Sequence, residues 1–294
     1  MKTTKPMAAV LALGLLVGSS IANADWVTIQ QNYNLYGHLE NAGANCAPTA
    51  TANSFQYLQN RYGAEAGNLI PGAGTDLASA RDKLINGWTN ANGVVRAGMG
   101  DCGASQKSWW ETKAQWIDDF GGPHVKVKGQ VKTPNGGPNP FAGWYRGNLL
   151  QDIFPQWDFL WSELSHGEDI ELGFVIEGGG KHAITLTSLK FDDTNGSGVW
   201  DNGEARKLDY LDPNNTSALI EADLTLLAAG AGSGALGFRW DNGSNVPANV
   251  YIDLAYTESV PEPGTLALIA LALAVFTISR KRSVAARVRL PGSA

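Results

Sequence analysis

The first half of the chain carries apolar residues at helical spacing. Apolar residues at positions 50, 52, 55 and 58 predict a helix that begins near Cys46. Pro48 fits its first turn, because a missing backbone N–H is tolerated there. Ser105 is a suitable N-cap for another helix, with aromatic residues at 109, 116 and 120 on one side. Helical spacing predicts further helices over 76–85 and over 149–164, the latter interrupted by Pro155.

The second half of the chain alternates apolar and polar residues, which is typical of strands. One predicted strand begins near His182, after three consecutive glycines, and another ends at Asp212, where Pro213 stops it. Further strands are predicted over 26–29, 124–131, 169–177 and 250–257. Helices followed by strands indicate an α+β fold rather than βαβ alternation. We expect a helical N-terminal half packed on an antiparallel sheet, with a cleft between them.

The two ends of the chain have the composition of targeting segments. Residues 1–24 combine a basic start, a short apolar stretch and an A-x-A cleavage site, so they predict a secretory signal peptide. The body then covers 25–258. Residues 265–279 form an uncharged apolar stretch followed by a basic cluster, which predicts a transmembrane helix with a cytoplasmic tail at 283–294.

The body is strongly acidic. The chain has 22 Lys and Arg and 28 Asp and Glu; seven basic residues and one acidic residue lie in the terminal segments. This leaves 15 basic against 27 acidic residues, a net charge near −12. Such a charge argues against nucleic acid and against anionic lipid surfaces as partners.

Cys46, His182 and Asp212 are the candidate catalytic residues. A cysteine at a helix N-terminus is favoured as a thiolate by the helix dipole and the free backbone N–H groups. Such a nucleophile needs a general base, and His182 at a strand start is the candidate, with Asp212 to orient its ring. Asn41 and Asn45 are candidates for stabilising an oxyanion, together with the backbone N–H of Cys46.

The order of these residues resembles the papain-like cysteine peptidase superfamily. The helix at Cys46, the His-Ala-Ile strand at His182 and the Asp-Pro pair at Asp212 are similar to its bacteriocin-processing and immunoglobulin-degrading bacterial branches. The resemblance implies a papain-like two-part α+β domain over 25–258 that hydrolyses peptide bonds, with protein or peptide as substrate. The alternative is a non-catalytic matrix or adhesion module of the same fold, in which Cys46 and Cys102 form a disulfide in the oxidising exported compartment.

A second motif predicts a calcium site. Residues 193–204 match the twelve-residue EF-hand loop, with glycine at the sixth position and glutamate at the twelfth. The predicted ligands are Asp193, Asn195, Ser197, Val199 through its carbonyl, Asp201 and Glu204. Flanking helices are absent, so we expect Ca²⁺ at the tip of a hairpin between the strands of His182 and Asp212.

Residues 259–282 resemble the PEP-CTERM sorting signal of Gram-negative bacteria. A Pro-Glu-Pro motif, an apolar helix and a basic cluster follow one another in that order. The resemblance implies transient anchoring in the inner membrane, processing near Pro261 by an exosortase-type enzyme, and release to the cell surface or extracellular matrix. Because matrix proteins meet polysaccharide and the body is rich in tryptophan, exopolysaccharide is a further candidate partner.

Overall fold

The computed structural model describes residues 25–70, 76–101, 104–134, 138, 140–228, 230, 232–241 and 247–261. Within these residues there are four α-helices and eleven strands. The helices are α1 (Cys46–Tyr62), α2 (Leu77–Asn86), α3 (Gln106–Phe120) and α4 (Trp157–Ser165). The strands are β1 (Asp25–Gln30), β2 (Trp88–Thr89), β3 (Val95–Arg96), β4 (Lys126–Val131), β5 (Leu150–Gln151), β6 (Asp169–Ile176), β7 (Lys181–Asp193), β8 (Arg206–Asp212), β9 (Asn215–Leu226), β10 (Leu236–Trp240) and β11 (Ala248–Ser259).

The helix boundaries follow the local signals in the sequence. Ser105 caps α3, since its hydroxyl accepts a hydrogen bond from the backbone N–H of Ser108 at 3.0 Å. Asp76 caps α2 in the same way, with the N–H of Ser79 at 2.9 Å. Helix α1 ends where Gly63 adopts a positive φ of 55°. The predicted helices at 46, 76 and 105 are therefore confirmed, whereas only 157–165 of the predicted helix 149–164 is an α-helix.

Six antiparallel strands close into a ring. Strands β6 to β11 pair in sequence order, and β6 also pairs with β11, so every strand of the ring has a neighbour on both sides. Strands β7 and β11 have 13 and 12 residues and extend beyond the ring. Their extensions pair with β1 and β4, respectively, and β5 runs parallel to β4.

The two faces of the ring belong to two separate hydrophobic clusters. Large apolar side chains fill the interior, among them Phe174, Leu186, Tyr210, Phe238 and Ile252. Helices α1 and α3 lie against the outer face, where their apolar residues pack with the outward side chains of β7 and β11. In β11 the pairing with β6 shifts between Ile252 and Leu254. The bulge shifts the alternation of β11, so Ile252 faces the interior whereas Leu254, two residues later, faces the helices.

The expected papain-like fold, a helical N-terminal half packed on an antiparallel sheet, is wrong. The described residues are mostly β, and the sheet is not confined to the second half of the chain, because β1 and β4 join the same nine-stranded sheet. The closed ring also differs from a sheet with one face covered by helices. The prediction failed because periodicity identifies single elements and carries no information about ring closure between β6 and β11.

No helix within the described residues is long and apolar enough to span a membrane. The predicted transmembrane helix at 265–279, the signal peptide at 1–24 and the tail at 283–294 lie outside the described residues.

Candidate active site

Cys46 is the first residue of α1. The side-chain oxygen of Asn45, just before the helix, accepts from the Thr49 hydroxyl at 3.4 Å but from no backbone N–H of the first turn, so those N–H groups receive no cap from it. Cys46 is half-buried and is a free thiol. The alternative Cys46–Cys102 disulfide is therefore not formed in the structure; Cys102 itself lies outside the described residues.

His182 lies near the start of β7, at one rim of the ring. Its side chain is on the interior face and is only 7% exposed. The ring packs edge-on against Phe174 at 5.5 Å between centroids and lies 4.7 Å from the ring of Trp240. Its Nε2 lies 2.8 Å from Oδ1 of Asp212, and the imidazole lines the same cavity as Cys46. Since Nε2 faces Asp212, Nδ1 is the ring nitrogen left for the thiol.

Asp212 is held in place by three donors. Its Oδ1 accepts from His182 and from the backbone N–H of Asn214, both at 2.8 Å, and its Oδ2 accepts from the indole N–H of Trp240 at 2.7 Å. Asp212 is the last residue of β8, which pairs with β7, and its side chain is buried. The carboxylate is thus satisfied on both oxygens while one of them orients the imidazole.

The environment of His182 favours its charged form. Burial lowers the pKa of His182, but the hydrogen bonds with Asp212 and Cys46, and their charges, outweigh burial and raise the pKa to about 9. The ring is therefore an imidazolium at neutral pH. A positive charge beside a sulfur at a helix N-terminus stabilises the thiolate.

Asn41 and Asn45 use their amide groups for local hydrogen bonds. The Asn41 amide donates to Oδ1 of Asn214 at 2.7 Å, and its backbone N–H donates to the carbonyl of Pro213 at 2.8 Å. The Asn45 amide donates to the carbonyl of Ala42 at 3.3 Å. Asn41 therefore braces the turn that follows Asp212, and the oxyanion role of both residues stays a prediction.

A cleft runs from Cys46 and His182 along the N-terminus of α3. Besides Cys46 and His182, four polar residues line it: Asp101, Gln106, Lys181 and Asp253. The Asp253 carboxylate accepts from Lys181 Nζ at 2.6 Å and from the Gln106 amide at 2.9 Å. Burial raises the pKa of Asp253, although both donors oppose this. Gln106 and Lys181 also line an adjoining open groove of about 910 Å³.

The predicted calcium loop joins β7 and β8 and is exposed. The Asp193 carboxylate accepts from the backbone N–H of Ser197 at 2.9 Å. The Glu204 carboxylate folds back onto the same loop and accepts from the N–H groups of Thr194 and Asp201, each at 2.9 Å. The loop is therefore a hairpin tip between the strands of His182 and Asp212. Calcium binding there stays a prediction.

Several residues of the site escaped the sequence analysis. Trp240 lies in β10, a short strand that is not among the predicted strands, and nothing local links its indole to Asp212. Asp253 is placed in the cleft by the bulge of β11, which alternation does not reveal. The turn between β6 and β7 did have a signal in the sequence, which is the run of three glycines before His182.

The PEP-CTERM protein-sorting motif matches residues 259–282. The resemblance to this sorting signal is confirmed, and the chain carries the signal of an exported protein that an exosortase-type enzyme recognises and processes at the membrane. A comparison with curated proteins finds no matching relative. The match begins at Ser259, the last residue of β11, so the sorting motif follows the folded body without a spacer.

Proposed function

We propose that the protein is an exported cysteine peptidase in which Cys46 is the nucleophile, His182 is the acid–base group and Asp212 orients His182. The observation that carries the proposal is that the free thiol of Cys46 and the imidazole of His182 line one cavity, while His182 is hydrogen-bonded to the buried carboxylate of Asp212. The three residues come from a helix start and from the ends of two strands. A structural histidine would not need a free thiol and a fully hydrogen-bonded carboxylate on opposite sides of its ring.

The chemistry proceeds by acyl transfer. The Cys46 thiolate attacks the scissile carbonyl, and the His182 imidazolium gives its proton to the departing amine as the C–N bond breaks. This leaves a thioester on Cys46. His182, now neutral, takes a proton from water, whose oxygen attacks the thioester and releases the carboxylate product and the thiolate. Asp212 keeps the ring in position and stabilises its positive charge throughout.

Backbone donors at the start of α1 are the proposed support for the oxyanion. The N–H of Cys46 belongs to a helix N-terminus that Asn45 does not cap, so it is available to a negative oxygen beside the sulfur. Asn45 itself is adjacent, and its amide has a second N–H beyond the one that Ala42 accepts.

The shape of the cleft favours a polypeptide substrate. The open groove continues from the cleft past apolar residues, including Trp144 and Val175, and carries Lys107 and Lys181. Such a groove fits an extended chain better than a small molecule. In this proposal the body is sorted through the inner membrane to the cell surface, where it meets protein substrates and exopolysaccharide.

The test is alkylation of the purified protein with iodoacetamide at neutral pH without reductant, followed by peptide mapping. We expect fast labelling of Cys46 and a loss of about 10²-fold in rate for His182→Gln, because the imidazolium no longer stabilises the thiolate. His38→Gln is the matched control, since His38 contacts the Thr216 carbonyl and lies outside the chain of three. Its labelling rate should equal that of the unmodified protein.

Hydrolysis of an unfolded protein substrate is measured in parallel. We expect activity that is abolished in Cys46→Ala and in His182→Gln. Equal labelling rates in both histidine variants would contradict the proposal. So would mass spectrometry that finds no free thiol, which would support the disulfide-bridged adhesion module instead.

A further inference from the structure

A cluster of acidic side chains is buried between the ring and helix α3. In the pairing of β6 with β11, Asp169 lies opposite Glu258 and Glu171 lies opposite Tyr256. Side chains on paired strands share a face of the sheet when their residues are directly opposite or two positions apart. The three carboxyl groups therefore lie on one face, the face that packs against the helices. One oxygen of each lies within 4.8 Å of the others. All three residues are 0% exposed.

Lys113 of α3 enters this cluster. Its Nζ contacts Oε2 of Glu171 and Oε1 of Glu258, and the side chain is 0% exposed. The ring centroid of Phe55 lies 5.9 Å from Nζ, so the pocket is apolar on that side. Burial sets this lysine apart: the other lysines that pair with carboxylates in the described part of the chain have side chains that are 21% or more exposed.

Burial pushes these groups toward their uncharged forms. Burial lowers the pKa of Lys113 well below its ordinary value, although the charge of Asp169 opposes this. Burial raises the pKa of Glu171 to about 8, although the nearby hydroxyl groups of Ser54 and Thr51 oppose this. A neutral amine is a nucleophile, and a protonated carboxyl can lose its hydroxyl as water. The cluster therefore holds both reactants of an amide condensation in their reactive forms.

We propose that Lys113 and Glu171 join in an intramolecular amide bond once the protein has folded. A bond forms between Nζ of Lys113 and the side-chain carbonyl carbon of Glu171, and the bond from that carbon to one oxygen breaks. Glu258 contacts Nζ and is the proton-transfer group: it carries one proton from the nitrogen to the departing oxygen. One water leaves, and no oxidant, reductant or cofactor is required.

The bond removes two ionisable groups from a fully buried site. A buried ion pair costs desolvation free energy, whereas an amide is neutral. The link also ties α3 covalently to β6, so the helices on the outer face of the ring cannot separate from it. A covalent link of this kind suits a protein that works outside the cell.

Trypsin digestion of the denatured full-length protein with mass spectrometry tests the bond. Trypsin does not cleave after an acylated lysine, so peptide 108–126 should be recovered joined to peptide 147–181, lighter than their sum by one water. Lys128 is the internal control: it is an exposed lysine that pairs with Glu163 at 2.7 Å, and cleavage after it should be normal. Complete recovery of peptides 108–113 and 147–181 as separate species would overturn the proposal.

Two variants identify the reacting groups. Lys113→Arg keeps the positive charge but has no amine to condense, so the linked peptide should disappear. Glu258→Gln keeps the shape of the side chain but cannot carry the proton, and we expect at least a tenfold smaller linked fraction after the same time. A linked fraction unchanged in Lys113→Arg would refute the assignment of the lysine. An unchanged fraction in Glu258→Gln would refute the proton-transfer role.

Discussion

Replacing Asp212 by asparagine removes one of the two groups that raise the pKa of His182 to about 9. In the variant, burial is opposed only by the hydrogen bond and charge of Cys46, so the pKa of His182 should fall toward or below its ordinary value of 6.5. The shape of the side chain and its acceptor oxygen are kept. The substitution therefore tests an electrostatic link rather than packing.

The magnitude follows from linkage between protonation and folding. In the folded protein the pKa of His182 is raised from 6.5 to about 9, so its contribution to stability is complete below pH 6.5 and is lost as the pH rises through 9. A shift of this size is worth about 3 kcal/mol. The difference in free energy of unfolding between the unmodified protein and Asp212→Asn should thus shrink by about 3 kcal/mol between pH 6.5 and 9.

Urea unfolding at a series of pH values measures this difference. Glu168, whose pKa burial raises to about 8, also titrates in this window, but it does so in both proteins and cancels in the difference. Asp209→Asn is the matched control, because Asp209 is a buried acid of the same strand that pairs with Lys190. Its difference from the unmodified protein should stay constant from pH 6.5 to 9.

A constant difference for Asp212→Asn across the same window would refute the reasoning. It would mean that Asp212 does not hold the proton on His182. An NMR titration of the His182 ring gives an independent reading, with a midpoint near pH 9 in the unmodified protein and a lower midpoint in the variant.

Two further predictions concern the surroundings of the site. Trp240→Phe keeps an aromatic ring over His182 but removes the donor to Oδ2 of Asp212, so urea unfolding should show that the free energy of unfolding falls by about 1.5–3 kcal/mol. Trp200→Phe is the control: it removes a 3.2 Å hydrogen bond to a backbone carbonyl, and its free energy of unfolding should fall by less. If the loop between β7 and β8 binds calcium, adding a chelator should lower the melting temperature of the unmodified protein but not of Glu204→Gln. A melting temperature unmoved by chelator in both would remove the calcium site.

Local sequence signals predicted the elements that carry the proposed site. The start of α1 at Cys46, the strand at His182 and the stop of β8 before Pro213 each depend on residues a few positions apart. The order of Cys46, His182 and Asp212 along the chain also led to the expectation that they meet. In the structure Cys46 and His182 line one cavity, and His182 is hydrogen-bonded to Asp212. Their catalytic role is the proposal that alkylation tests.

The sequence alone determined the PEP-CTERM sorting motif, the acidic composition of the body, and the helices and strands that short-range periodicity encodes. Only the tertiary structure decided the closure of β6 on β11, the indole bond from Trp240 to Asp212, and the burial of Lys113 among three carboxyl groups. The physical reason is range. Periodicity and capping depend on neighbours within one or two turns. Closure of a sheet and the surroundings of a buried charge depend on residues far apart in the chain, such as Asp212 and Trp240, which are 28 positions apart, and no local pattern specifies which of them meet.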